Sequence, residues 1–314
     1  MKRVYIVIPT YYDGKALLEI VKEISYIFKE RFKEFIPSYI LIDDSSGRDK
    51  SINRLSKQLS EIKHITLIKT RSNLGNQGAI IIGLKTIINK INPKDYIVVL
   101  DADGEDDPQD IINLLKTLEE NQEMDIILAE RGKRASGFRF KFSLTIFKFI
   151  FKILTGKKWK SGNFSILSGR WIIQNFHLIV LFNSYAGSIQ SIPARRIFIT
   201  IDRKARRYGS SQTSSKGKII HALNSLTPWV ETIQVRALLF FGFMFKNFIF
   251  SLILISVMKF VYHTAAPNWF TIVIFSTISL SLISLNIFLT SQMMISIMSL
   301  AKRFDSEFLY FAKK

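Results

Sequence analysis

Residues 269–298 contain no Asp, Glu, Lys or Arg, and residues 237–261 form a second long apolar run, interrupted by Lys246 and Asn247 and carrying Lys259 near its end. A helix needs about 20 apolar residues to cross the hydrocarbon of a bilayer, and both runs reach that length. The linker between them, His263-Thr264-Ala265-Ala266-Pro267-Asn268, is short. The pair therefore reads as a hairpin of two transmembrane helices. A buried hairpin in a soluble protein would need a charge-free core run of a length that soluble cores seldom hold.

Lys216, Lys218 and Arg236 precede the hairpin, and Lys302, Arg303, Lys313 and Lys314 follow it, whereas the linker carries neither Lys nor Arg. Loops rich in Lys and Arg stay on the cytoplasmic side, so both termini are expected there, in a multi-pass protein of the cell membrane. Lys246 lies in the cytoplasmic part of its helix and snorkels to the interface. Phe140, Phe142, Phe147, Phe149 and Phe151 alternate with Lys141, Lys148 and Lys152. On a helix the three lysines share a stripe, so 138–160 reads either as an interfacial amphipathic helix or as a core helix with one solvated face. The membrane hairpin favours the interface.

Charge and composition narrow the class. With 44 Lys and Arg against 25 Asp and Glu, the net charge is +19. Nucleic acid is one partner for so basic a chain; anionic lipid headgroups are another, and no nucleic-acid-binding motif accompanies the charge. The chain has no cysteine, which excludes a disulfide framework and a thiolate metal site. Met1-Lys2-Arg3 precedes only a short apolar run, Val4 to Pro9, so no signal peptide is expected here.

Before the apolar third, short β-branched runs alternate with helical patterns. Val4-Tyr5-Ile6-Val7-Ile8, Tyr39-Ile40-Leu41-Ile42, Ile65-Thr66-Leu67-Ile68 and Tyr96-Ile97-Val98-Val99-Leu100 read as strands. Residues 16–35 and 78–91 carry apolar residues at helical spacing between them. Strands joined by helical crossovers are parallel and covered on both faces, and they bind ligands at their carboxyl ends. The acids Asp43-Asp44 and Asp101-Ala102-Asp103 fall at that edge. Two carboxylates one residue apart on a tight turn can reach one hard divalent cation, Mg²⁺ or Mn²⁺, with substrate phosphates as further ligands; Glu105 adds a third oxygen donor. The four histidines, His64, His177, His221 and His263, form no metal or triad pattern.

Motifs in register carry a resemblance: Pro9-Thr10-Tyr11-Tyr12-Asp13, Asp43-Asp44-Ser45-Ser46, Arg71-Ser72-Asn73-Leu74-Gly75 with Ala79 and Gly83, and Asp101-Ala102-Asp103. Their order and spacing resemble glycosyltransferase family 2, and Arg131, Gly162-Asn163-Phe164-Ser165-Ile166-Leu167 and Arg206-Arg207-Tyr208-Gly209-Ser210-Ser211 point to its dolichyl- and polyprenyl-phosphate sugar transferase branch. The resemblance implies an α/β GT-A catalytic domain, Rossmann-like with a mostly parallel sheet, over 1–213. A juxtamembrane segment at 214–236, transmembrane helices at about 237–261 and 269–298, and a tail at 299–314 would follow. It further implies that Pro9, Tyr11, Asp13, Ile42 and Asp44 hold the nucleotide, together with Ala102 and Gln212. Asp101 and Asp103 would hold the metal with Glu105, and Arg131 and Arg206 would contact phosphates.

Departures from the family pattern are equally specific. Asp13 replaces Glu, Glu105 replaces Gln, Asn163 stands where many relatives have Asp, and Gln212 stands where mannosyltransferases carry Lys. The expected reaction is inverting transfer of a sugar from a UDP- or GDP-sugar to undecaprenyl or dolichyl phosphate. Such an acceptor is already ionised near neutral pH and needs no general base. One rival is a family 2 transferase that elongates a glycan or glycolipid hydroxyl. Another is a catalytically weakened membrane scaffold partnering a flippase; a homo-oligomer is compatible with all three.

Overall fold

A computed structural model of the chain describes residues 2–132, 138–182, 184–209, 215–261, 271–272, 274–283, 285–286, 288–290 and 310–312. The chain divides into two compact units, Met1–Thr145 with Trp159–Pro228 and Ala301–Lys314, and Ile146–Lys158 with Trp229–Leu300.

The first unit is built on one sheet. Its strands are β1 (Lys2–Thr10), β2 (Phe35–Asp43), β3 (Ile65–Thr70), β4 (Tyr96–Val99), β5 (Ile126–Arg131), β6 (Ser161–Ser168), β7 (Arg196–Ile201) and β8 (Tyr310–Ala312), in the order β7-β5-β6-β4-β1-β2-β3-β8. β1 pairs in parallel with β2 and β4, β2 with β3, and β5 with β7. β6 runs antiparallel between β4 and β5, and β8 antiparallel against β3. The sheet is thus the mostly parallel one expected, with β6 as an antiparallel insertion that the four strand runs do not announce.

Alternation along β1 shows why its sequence is continuously apolar. Val4, Ile6 and Ile8 face one layer of core with Leu17, Ile20 and Ile24 of α1 (Gly14–Arg31), while Tyr5 and Val7 face the other. A central parallel strand buried on both faces has no polar side to show. That second layer holds α3 (Gly75–Ile87), and Gly83 permits its close approach. A Cβ there would stand 2.7 Å from both Ile42 Cδ1 and Val7 Cγ1. The remaining helices of this unit are α2 (Lys50–Ser60), α4 (Asp110–Glu120), α6 (Gly169–Phe182), α7 (Tyr185–Ser191) and α8 (Ser215–Asn224).

The helix expected over 16–35 stops at Arg31. Phe32 closes it, donating its backbone N–H to Phe28 O, and Phe35 opens β2. Phe28, Phe32 and Phe35 form a chain of ring contacts at 5.7 and 5.9 Å, so apolar spacing continues through the turn although the helix does not.

α5 (Phe138–Thr155) covers the basic, aromatic segment. Within the second unit its Phe151 is buried against Trp229, with ring centroids 5.9 Å apart and nearly perpendicular, while Ile146, Phe149, Ile150 and Ile153 are exposed. The three-and-four spacing of those exposed residues places them on one stripe. α9 (Val230–Val261) is a helix of 32 residues. Among the described residues one helical run, Ile219–Leu254, is long and apolar enough to cross a membrane by length and composition. The second expected span lies partly outside the described residues, and its described part includes the shorter apolar helix Ile274–Thr290. Among the described residues one helix reaches spanning length, and the two-helix hairpin stays an expectation of the sequence.

Candidate functional site

The carboxyl end of β4 leads into a turn that concentrates acid. Gly104 takes a left-handed backbone (φ +77°), and a Cβ there would lie 2.4 Å from Arg207 Cγ, so this position needs glycine on two counts. Asp103 Oδ1 accepts the backbone N–H of Glu105 at 3.0 Å, which closes the turn. The segment after β7 runs along it, with Lys204 N donating to Glu105 O and Arg207 N to Asp103 O, both at 3.0 Å.

That pairing delivers two guanidinium groups. The Arg203 side chain, 9% exposed, meets Glu105 Oε2 at 2.8 Å, Asp106 Oδ1 at 2.9 Å and Asp101 Oδ2 at 3.7 Å. Burial works against its charge, and Asp106 with Asp101 and Glu105 more than offsets that, so it stays cationic. Arg206 reaches both Asp13 oxygens at 2.6 Å through Nη2 and Asp103 Oδ2 at 3.4 Å through Nη1. Asp101, Asp103 and Arg206, predicted for the site, are thus brought together, with Asp13 from the loop after β1. Glu105 is turned to Arg203. Arg203 itself was not expected as an individual site residue, because within a basic run it reads as one more solvated cation.

The described residues expected to hold the nucleotide lie at the ends of β1 and β2, in the loop after β1 and in the acid turn. Pro9 and Ile42 are buried at the ends of β1 and β2, Ala102 is buried in the turn, and Tyr11 is half-buried with its ring against Tyr12. Tyr12 has a left-handed backbone, φ 59°, which is unusual for a bulky residue and marks the loop as constrained. Asp44 Oδ1 accepts from Leu74 N at 2.9 Å and Thr70 Oγ1 at 3.0 Å. Burial nevertheless pushes Asp44 up to about 6. Beside it, Thr10 Oγ1 and Asp43 Oδ2 are buried without a partner among the described residues, the kind of acceptor a bound polar group would satisfy. Arg131 is the last residue of β5, opposite Ile201, and its side chain lies outside what is described. Gln212 lies outside the described residues.

The donor set fits a hard divalent cation. Five carboxylates, of Asp13, Asp101, Asp103, Glu105 and Asp106, face two guanidinium groups, leaving negative charge uncompensated. Among the described residues no three His, Cys, Asp or Glu side chains converge as a metal cage. Asp101 and Asp103 would therefore supply part of a coordination sphere that substrate phosphates and water complete, as Mg²⁺ and Mn²⁺ accept. When bound, such an ion neutralises charge on a departing diphosphate.

Burial first, and then the charge of Asp101, push Asp103 up to about 7 in the metal-free protein. Its folded value exceeds the ordinary 3.8, so the folded protein keeps a proton that the unfolded chain has released. The stability contributed by this proton is therefore expected to fall as pH rises from 3.8 to about 7, and to stay level above. Metal and proton compete for the same oxygens, so Mn²⁺ affinity should rise up to about pH 7 and then plateau. Mn²⁺ titrations that give one affinity from about pH 5.5 to about pH 8 would contradict this assignment.

The domain is thus a mostly parallel α/β sheet that gathers paired acids and arginines at its carboxyl edge. Residues 5–180 match Glycosyl transferase family 2, and the chain belongs to that family. In fold it is similar to glucosyl-3-phosphoglycerate synthase from Mycobacterium tuberculosis in complex with Mn²⁺, uridine diphosphate and phosphoglyceric acid. That likeness has 10% identity and a TM-score of 0.49, covering 74% of this chain and 78% of that one. Mannosyl-3-phosphoglycerate synthase from Rubrobacter xylanophilus is similar at 10% identity and TM-score 0.45, covering 74% and 73%.

Proposed function

We propose that this protein is a membrane-anchored, inverting glycosyltransferase that moves one sugar from a UDP- or GDP-sugar to a polyprenyl phosphate. The observation that carries the lipid acceptor is α9, which exposes Leu238, Phe240, Phe243, Phe245, Phe250 and Leu252 around most of its circumference in a chain of family 2. A helix apolar all round, with an ideal length of about 48 Å for its 32 residues, suits hydrocarbon better than water. Both substrates are then anionic, and the guanidinium groups beside the acid turn are placed to hold phosphates against mutual repulsion.

The acceptor phosphate oxygen forms a bond to the anomeric carbon as the bond from that carbon to the nucleoside diphosphate breaks. No side chain need remove a proton, because the nucleophile is already ionised. The product is a polyprenyl-phosphate sugar with inverted anomeric configuration, and the nucleoside diphosphate leaves. The test is an assay of purified protein with labelled UDP- and GDP-sugars, polyprenyl phosphate and Mg²⁺ or Mn²⁺. Transfer to a free sugar hydroxyl, with polyprenyl phosphate ignored, would reject this reading in favour of an elongating transferase.

The membrane arrangement carries its own expectation. The distribution of Lys and Arg puts both termini in the cytoplasm and the linker around Pro267 on the far side. The chain lacks native cysteine, so single substitutions report cleanly. In intact cells an impermeant thiol reagent should label Asn268→Cys and spare Ser306→Cys; the reverse pattern would invert the topology.

A further inference from the structure

The two oxygens of Asp101 have different surroundings. Oδ1 accepts from Asn76 Nδ2 at 2.9 Å and from Asn163 Nδ2 at 3.0 Å, whereas Oδ2 lies 3.7 Å from an Arg203 guanidinium nitrogen. Side-chain amides can present either end, so what decides which end Asn163 presents is found one residue further back. Asn163 Oδ1 accepts from Gln77 Nε2 at 2.8 Å, and Gln77 Oε1 accepts from the backbone N–H of Ala186 at 2.9 Å. A backbone N–H can only donate. Gln77 must therefore show Ala186 its oxygen, its nitrogen must meet Asn163 Oδ1, and Asn163 must turn its own nitrogen to Asp101 and to Asn76 Oδ1 at 2.9 Å. Gln77 and Asn163 are both buried, at 7% and 8% exposure, so water does not readily substitute for a link.

We infer that Gln77 and Asn163, with Asn76, form an amide relay that starts from the first turn of α7 and fixes Asp101, saturating Oδ1 and leaving Oδ2 to bind the cation. Gln77 and Asn163 are positioning residues; neither is a ligand. The inference rests on reading Asp101 as a metal ligand. It gives Asn163 a purpose as an amide, since a carboxylate at that position would set acceptor against acceptor at Asp101. Outer partners that orient ligating carboxylates typically change metal affinity when removed.

The test exploits the direction of the relay. Gln77→Glu keeps size and the acceptor for Ala186, but an ionised glutamate offers Asn163 Oδ1 a second acceptor. Asn163 then turns over and presents oxygen to Asp101. Gln77→Ala removes the link and leaves Asn163 free to keep its donors on Asp101. Mn²⁺ affinity is measured on the metal-free full chain in detergent, with thermal melts showing that each variant is folded. Gln77→Glu is expected to weaken Mn²⁺ by about tenfold at alkaline pH and to recover on acidification, when a protonated glutamate donates again. Gln77→Ala is expected to lose less, by a factor that does not change with pH relative to wild type. A packing role predicts the opposite ranking, because alanine leaves the larger void. A Gln77→Ala deficit that equals or exceeds that of Gln77→Glu, or a Gln77→Glu deficit constant in pH, overturns the relay while leaving the metal reading in place. Wild-type protein that binds no Mn²⁺ overturns the metal reading, and the relay's part in it falls too.

Discussion

Asp103→Asn is expected to reduce sugar transfer by roughly a thousandfold, because a cation's contribution to a departing diphosphate is several kcal/mol and each 1.4 kcal/mol is about tenfold in rate. The substitution should leave the fold intact for reasons visible in the turn. The one backbone hydrogen bond that Asp103 Oδ1 accepts, from Glu105 N, can equally be accepted by an asparagine oxygen. What disappears is a half-buried charge beside Asp101, held at 3.4 Å from Arg206. Without metal that charge is a burden above about pH 7, since burial and Asp101 both oppose it. The variant should therefore melt no lower than the wild type in the absence of metal while losing turnover and Mn²⁺ affinity together. Loss of activity with unchanged Mn²⁺ affinity would move the metal elsewhere, and full wild-type turnover in excess EDTA would remove it from the reaction.

Much of this site is legible in the sequence, and the part that is not has a common cause. The strands β1 to β4 announce themselves because each is a short β-branched run, buried on both faces in β1, β2 and β4 and partly so in β3, and the acids at the carboxyl ends of β2 and β4 follow from the parallel arrangement. β6 does not announce itself. Its sequence, Ser161 to Ser168, mixes Ser, Gly and Asn with apolar residues, and only pairing with β4 and β5 makes it a strand. The same long-range pairing hides Arg203. Nothing local distinguishes it from Lys204 or Arg207, yet β7 beside β5 carries it to carboxylates about a hundred residues earlier in the chain. Gln77 leaves a faint local trace, a polar side chain opening a helix whose next turns are apolar, but its partners lie at Asn163 and Ala186. Motif spacing finds residues that share one turn; residues that meet across the sheet edge need the topology. The long apolar helix is the converse case. Its length and apolar composition are wholly local, which is why composition alone finds it.

Arg206→Ala carries the second large effect, and it separates two roles that the geometry superimposes. Arg206 grips both oxygens of Asp13 at 2.6 Å and approaches Asp103 at 3.4 Å, and it borders the acid turn where the substrate phosphates are proposed to gather. If it contributes charge-assisted bonds to those phosphates, removing it costs about 3 kcal/mol and lowers kcat/KM by roughly a hundredfold or more. Arg206→Lys should recover only part of this, because an ammonium cannot reproduce the two-pronged geometry of a guanidinium. The competing role is neutralisation of Asp13, whose carboxyl burial raises and Arg206 draws back down. The double variant Asp13→Asn, Arg206→Ala decides between them. Were Arg206 needed only to offset Asp13, the double variant would regain most of the lost activity. If it acts on the phosphates, the double variant stays as poor as Arg206→Ala, and the deficit is larger with polyprenyl phosphate as the varied substrate than a melting-temperature change can account for. Retention of more than about half the wild-type kcat/KM by Arg206→Ala would place the phosphate-binding cation on another residue of the basic segments.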